Sequence, residues 1–174
     1  MPLVQVFLSS ILNLLTPQSG NEILLCEPII FLTSDKDFIR KSGDFTLSLF
    51  VMADLHLSLS EKTNKPMEVF GQNWANHAER IKKYWNAVVC EEDTVIIPGD
   101  ISWAMKLEEA YDDLKFIDSL PGTKIISKGN HDFWWSTVGK IEMFFRENEI
   151  SSIKMLHNNA FKLEDCINSL GCRY

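Results

Sequence analysis

Residues 124–132 read KIISKGNHD, and they join a short apolar run to three side chains that can bind a metal or move a proton. A run of this kind is typical of a buried strand, and the glycine at position 129 ends it. In α/β proteins, the loops at the carboxyl edge of the sheet carry the chemistry. The segment therefore predicts a strand that leads directly into a functional loop.

The same order of apolar run and polar side chains occurs twice earlier in the chain. Residues 46–53 precede Asp54 and His56, and residues 94–97 precede Gly99 and Asp100. We expect the three strand ends to bring five side chains together: Asp54, His56, Asp100, Asn130 and His131. Such a mixture of oxygen and imidazole ligands suits Mn, Fe or Zn better than Ca or a structural zinc finger.

The composition fits one packed domain. The chain has 174 residues, of which 45% are hydrophobic, and this is ample for a core. Its formal net charge is -7 and it has no basic stripe, so general nucleic-acid binding is not expected. The four cysteines (Cys26, Cys90, Cys166 and Cys172) form no Cys-x-x-Cys pair. We interpret them as reduced thiols of a cytoplasmic protein.

Segments with helical periodicity lie between the three predicted strands and after the last of them. Apolar residues recur at helical spacing over about residues 73–89, 106–120 and 136–148. An alternation of strand and helix implies a parallel sheet with right-handed crossovers. The predicted fold class is therefore α/β.

Residues 1–45 do not fit this pattern. The apolar run from Val4 to Leu15 has no lysine or arginine before it and is too short to span a bilayer. We interpret residues 1–45 as an atypical extension, with a secretory signal as the alternative. No association with a membrane is expected.

The three polar motifs resemble a known family. Asp54-x-His56, Gly99-Asp100 and the GNHD of residues 129–132 are similar, in this order, to the first three motifs of the calcineurin-like metallophosphoesterases. Residues 53–58 and 98–105 most resemble a bacterial group of predicted phosphohydrolases. This resemblance divides the chain into the extension 1–45, the N-terminal part of a metallophosphoesterase domain at 46–165, and an atypical tail at 166–174. It implies a sheet of mainly parallel strands with flanking helices, which packs on a second sheet.

The resemblance also implies a role for each site residue. Asp54 and His56 would hold one divalent cation (Mn, Fe or Zn). Asp100 would bridge that cation to a second one, which Asn130 would bind.

The implied reaction is hydrolysis of a small phosphoester by a metal-activated hydroxide. His131 would stabilise the attacked phosphoryl group or protonate the leaving oxygen. Asp132 would orient its neighbours from behind the ligands. Trp134 is a candidate for stacking on substrate, and core packing is its alternative role.

One part of the family pattern is missing. The family has further histidines in its C-terminal half, first a single one and then Gly-His-x-His, but only His157 follows His131 here. We interpret His157 as a loop or surface residue, so weak metal binding and impaired activity are expected. We further expect a truncated or frame-shifted chain with an incomplete second sheet, whose exposed apolar face favours self-association.

Two other functions stay open beside the hydrolase. One is a non-catalytic interaction module that keeps the fold without the metal centre. The other is an inactive fragment of a disrupted phosphohydrolase gene.

Overall fold

The structure, a computed structural model, describes residues 29–31, 49–63, 65–162 and 169–171. Its main sheet has five strands in the order β1-β2-β3-β4-β5. These strands are β1 (Ile29–Phe31), β2 (Leu49–Met52), β3 (Thr94–Ile97), β4 (Thr123–Ile126) and β5 (Ile153–Met155). Strands β2 to β5 run parallel, and β1 pairs antiparallel with β2. A separate antiparallel pair consists of β6 (Ala160–Lys162) and β7 (Ser169–Gly171).

Three α-helices connect the parallel strands: α1 (His77–Val88), α2 (Tyr111–Asp118) and α3 (Val138–Glu147). The predicted α/β class and parallel sheet are confirmed. All three helices are shorter than their periodic patterns. Asn76 has a left-handed φ of 51°, which separates α1 from the 3-10 turn Gln72–Trp74. Another 3-10 turn, Leu107–Ala110, precedes α2, because apolar periodicity alone does not distinguish a tight turn from an α-helix.

The helices pack on one face of the sheet. Right-handed crossovers between strands that follow one another in sequence place successive helices on the same side. The core cluster agrees, since it joins alternate strand residues such as Phe50, Val95 and Ile126 to helix residues such as Trp85 and Ile141. This packing holds the carboxyl ends of the parallel strands at one edge.

The opposite face of the sheet carries Val51, Ile96 and Ile125 in one hydrogen-bonded row. Val51 is partly exposed, whereas Ile96 and Ile125 are buried. Self-association through this face remains a prediction.

The segment predicted as an extension contributes to the sheet through β1, where Ile30 pairs with Val51. The apolar run from Val4 to Leu15 lies outside the described residues, as do Cys26, Cys166 and Cys172. Within the described ranges, no helix is long and apolar enough to cross a membrane.

Two glycines allow the loops after β3 and β4 to touch backbone to backbone. A Cβ on Gly99, whose φ is 114°, would overlap the backbone of Gly129. A Cβ on Gly129 would overlap both the backbone nitrogen and the carboxylate of Asp100. Any side chain at Gly129 would therefore push the two loops apart.

A buried carboxylate from α2 fastens the far ends of two loops. Asp113 is fully buried, and it accepts hydrogen bonds from the Leu59 amide (2.8 Å) and the Ser102 hydroxyl. Burial is the largest influence on Asp113, and it raises the pKa of the carboxyl from 3.8 to about 6 despite these hydrogen bonds. The Asp113 carboxyl thus holds the loops after β2 and β3 together, although burial makes its ionised form unfavourable.

We predict that Gly129→Ala lowers the free energy of unfolding by about 1–3 kcal/mol, because the added methyl group overlaps Asp100. Gly139 in α3 has open space around it, so Gly139→Ala is the matched control. The control should stabilise the protein by up to about 1 kcal/mol through helix propensity. Urea unfolding measures both variants, and equal stabilities would contradict the close approach.

A second prediction concerns pH. The folded pKa of Asp113 lies above its unfolded value, so the folded state binds more protons and the contribution of Asp113 to stability falls as pH rises towards and past 6. Asp113→Asn keeps two hydrogen bonds if the Ser102 hydroxyl turns to accept. Relative to wild type, this variant should gain about 1 kcal/mol of stability between about pH 5 and pH 7.5. Urea unfolding across this range tests the prediction, and a constant difference would refute it.

Candidate metal centre

The loops after β2 and β3 continue side by side beyond the sheet. The His56 amide donates to the Asp100 carbonyl at 2.9 Å, and the Leu57 amide donates to the Ile101 carbonyl at 2.9 Å. The Trp103 amide in turn donates to the Leu57 carbonyl at 2.9 Å. Backbone hydrogen bonds therefore place His56 beside Asp100 independently of any ligand.

Three of the predicted site residues have left-handed backbones. The φ angles are 58° at Asp54, 44° at His56 and 51° at Asp100. This conformation costs a residue with a side chain about 1 kcal/mol or more, and it persists only where the surroundings enforce it. The strained positions lie in the two loops that the paired backbones and Asp113 hold together.

Asp132 fastens the loop after β4 to the loop after β3. Its buried carboxylate accepts hydrogen bonds from four N–H groups. The donors are the amides of Ile101 (2.8 Å), Ser102 (3.2 Å) and Gly129 (2.8 Å) and the indole of Trp134 (2.9 Å). Asp132 therefore links the backbone of the loop after β3 to that of the loop after β4, and its orienting role stays a prediction.

These contacts bring His56, Asp100 and His131 together as a triad. One potential ligand atom from each lies within 4.8 Å of the others. His131 donates its amide to Asp100 Oδ1 at 2.8 Å, and its Nδ1 lies 2.9 Å from Asp100 Oδ2. The side chains of His56 and Asp100 are only 13% and 12% exposed, whereas His131 is 42% exposed. The triad therefore meets solvent on the His131 side.

Asp54 and Asn130 lie at the margin of this triad. Asp54 Oδ1 is 3.7 Å from His56 Nε2, and the Asp54 side chain is 55% exposed. Asn130 is exposed, and its amide nitrogen lies 3.0 Å from His131 Nδ1. That ring nitrogen can serve only one partner, and the Asp100 carboxylate is the stronger one. The metal-ligand roles of Asp54 and Asn130 remain predictions.

Burial and nearby charges perturb the carboxylates and His56. Burial lowers the pKa of His56, and the charges of Asp54 and Asp100 offset this only in part. Loss of solvent raises the pKa of Asp54. Burial alone would also raise the pKa of Asp100, but hydrogen bonds from His131 and the charges of both histidines bring it below its usual value. A neutral His56 next to an ionised Asp100 is the protonation state that a cation needs.

The donor set fits a divalent transition metal. Two imidazoles and a carboxylate converge, with a second carboxylate beside them. His56 Nδ1 is buried, and the described residues offer it no hydrogen bond. A buried polar atom without a partner is costly, and a bound cation would satisfy it.

Aromatic rings close one side of the triad. Trp103 stacks on His56 with ring centroids 4.8 Å apart, and the Lys65 ammonium lies 3.5 Å above the Trp103 ring. Trp74 meets His56 edge-on at 6.1 Å. The sequence alone did not predict this arrangement. Trp103 lies in the stretch 98–105 that carries the resemblance, but Trp74 and Lys65 belong to no motif, and only the packed loops bring the three together.

The remaining candidates lie elsewhere. Trp134 is 1% exposed, its indole N–H donates to Asp132, and it lies in the wall of a groove beside the loop after β4. Its substrate-binding role stays a prediction. His157 lies beyond β5 and lines a separate groove of about 580 Å³ with Lys128 and Trp135. It is not part of the triad.

Among solved structures, the chain resembles a crystal structure of AQ665, a protein of unknown function from Aquifex aeolicus, with 22% sequence identity and a TM-score of 0.40. The match covers 67% of this chain, which spans 55% of the length of that protein. No curated protein sequence matches significantly.

The profile of the calcineurin-like phosphoesterase family matches residues 47–171, well over half of the 174-residue chain. The matched range contains all three motifs and every predicted site residue. The resemblance that the motifs predicted is thus confirmed, and the chain belongs to the calcineurin-like phosphoesterase family.

Proposed function

We propose that the chain hydrolyses phosphoesters with the help of divalent metal. The observation that carries this proposal is the convergence of His56, Asp100 and His131, which lie in the loops after β2, β3 and β4. Family membership supplies the reaction class, since calcineurin-like phosphoesterases are metal-dependent. Mn, Fe and Zn are the candidate metals.

His56 and Asp100 would hold the first cation together with Asp54, and Asn130 would contribute to a second cation that Asp100 bridges. A divalent cation supplies an acidified water molecule and positive charge next to the phosphoryl group. The packed loops keep the ligands fixed, so little reorganisation is needed on binding.

His131 is suited to donate a proton to the leaving oxygen. Its Nδ1–H donates to Asp100, so in the doubly protonated imidazolium Nε2–H is the group free to transfer a proton. Its partial exposure allows contact with a bound ester. In the proposed reaction, water first loses a proton to solvent, and the resulting hydroxide oxygen bonds to phosphorus while the bond to the leaving oxygen breaks. Nε2–H of the His131 imidazolium protonates that oxygen, and the neutral imidazole then takes a proton back from solvent.

A non-catalytic interaction module is the second candidate function. The observation that favours it is the position of His157, the only histidine after His131, in a groove separate from the triad. In that case the fold would persist with a metal site too weak for turnover.

We predict that hydrolysis of mono- or bis-p-nitrophenyl phosphate requires Mn(II) and falls about a hundredfold or more in Asp100→Asn. The substitution keeps the shape of the side chain but removes the charge between the two histidines. Initial rates with and without Mn(II) provide the measurement, and calorimetry should show weaker Mn(II) binding.

Asp112→Asn is the control, because it makes the same chemical change at an exposed carboxylate of α2. It should retain wild-type rates. Metal-dependent turnover that survives in Asp100→Asn would refute the proposed site, and folded wild-type protein without turnover would favour the interaction module.

A further prediction separates the two roles considered for His131. A p-nitrophenolate group leaves without a proton, whereas an alkoxide needs one. If His131 is the proton donor, the His131→Asn variant should lose at least about tenfold more rate on an alkyl phosphate than on p-nitrophenyl phosphate. Equal losses in kcat on both substrates would instead indicate that His131 stabilises the phosphoryl group.

A further inference from the structure

An open groove of about 450 Å³ lies between the loop after β3, the loop after β4 and helix α3. Three large apolar side chains in its wall are exposed: Met105 (62%), Phe133 (55%) and Met143 (56%). Single exposed apolar residues are ordinary, but three in one concave surface indicate a binding site.

The groove borders the triad through Phe133, which lines the groove and contacts His131. Phe133 follows His131 closely in the chain, and its ring lies edge-on to His131 with centroids 6.4 Å apart. The Phe133 amide donates to the His131 carbonyl at 2.9 Å, which fixes this arrangement. Met105, on the other wall, belongs to the same loop as Asp100. A group attached to a phosphate at the triad would therefore enter this groove.

Aromatic rings border the other side of the triad. Trp103 covers His56 there and is itself covered by the Lys65 ammonium. His131 also lies 5.1 Å from Trp103, so the rings form a closed wall. Since Phe133 is exposed and contacts His131, the organic part of an ester would extend past Phe133.

The chemistry of the groove selects the ligand. Apolar and charged side chains alternate in its wall, and the charged ones are Lys106, Lys140, Glu108 and Glu147. Since these four charges balance, the groove as a whole attracts neither anions nor cations. Thioethers of methionine adapt to the shape of an apolar group and contact aromatic rings favourably. The volume of about 450 Å³ is within the range of small-molecule sites.

We propose that this groove binds the organic group of the phosphoester, and that this group is bulky, uncharged and apolar, such as a fused aromatic ring system. The inference rests on the proposed function, because the triad must hold the phosphate. It adds the substrate class, which neither the motifs nor the family specify.

Binding of two non-hydrolysable phosphonates tests the groove without depending on turnover. In the presence of Mn(II), naphthalen-1-ylmethylphosphonate should bind the wild-type protein about tenfold or more tightly than methylphosphonate, because only the former fills the groove. Calorimetry measures both dissociation constants.

Met143→Glu should remove most of this preference and leave the affinity for methylphosphonate unchanged. Met143 is exposed on α3, so the change does not disturb the core. Val69→Glu is the control, because it adds the same charge at an exposed apolar residue outside the groove. That control should keep the full preference.

The outcomes distinguish the groove from the hydrolase. If the wild-type protein binds the naphthyl compound no better than methylphosphonate, or does not bind it, the proposed role of the groove is wrong, whatever the hydrolytic activity of the protein. A preference that survives in Met143→Glu also overturns it. Loss of the preference in Met143→Glu alone supports the groove, even if p-nitrophenyl phosphate is not hydrolysed and the hydrolase proposal fails.

Discussion

The buried carboxylate of Asp132 holds the centre of this molecule together. It gathers N–H groups from the loop after β3, from the loop after β4 and from the Trp134 indole. A buried charge is tolerable only when hydrogen bonds replace its lost hydration, and four donors do so here. Because the donors come from separate loops, satisfying this charge also determines how far apart Asp100 and His131 lie.

The loops that Asp132 joins touch backbone to backbone, and the site residues beside them are locally strained. The glycines at positions 99 and 129 let the two loops touch, and the left-handed conformations of Asp54, His56 and Asp100 turn their side chains. Such conformations are unfavourable by themselves, so the rest of the fold must supply the stability. The helices on one face of the sheet and the Asp113 carboxyl on α2 provide that support. Stability and site geometry are therefore coupled through the same loops.

The resulting site is asymmetric. Stacked rings and a lysine close it at His56, whereas His131 faces solvent and the apolar groove. Low solvent exposure lowers the pKa of His56, which favours its neutral form, and it strengthens the attraction of Asp100 for a cation. In the proposed function, a phosphoester has its charged end at the triad and its organic end towards Phe133. Under that proposal, the asymmetry of the site links metal-dependent hydrolysis to the choice of substrate.

The amino-acid sequence by itself determined the alternation of strands and helices, the parallel sheet and the position of the motif residues at strand ends. Periodicity and turn residues act locally, so they can be recognised without a structure. The 3-10 turns, the pairing of Ile30 with Val51 and the hydrogen bonds of Asp113 could not be predicted, because they depend on partners distant in the chain. Only the tertiary structure decided which candidates converge: His56, Asp100 and His131 do, whereas Trp134 is buried and His157 lies in another groove. The physical reason is that convergence depends on loop backbones that pack against one another, and no single segment encodes that packing.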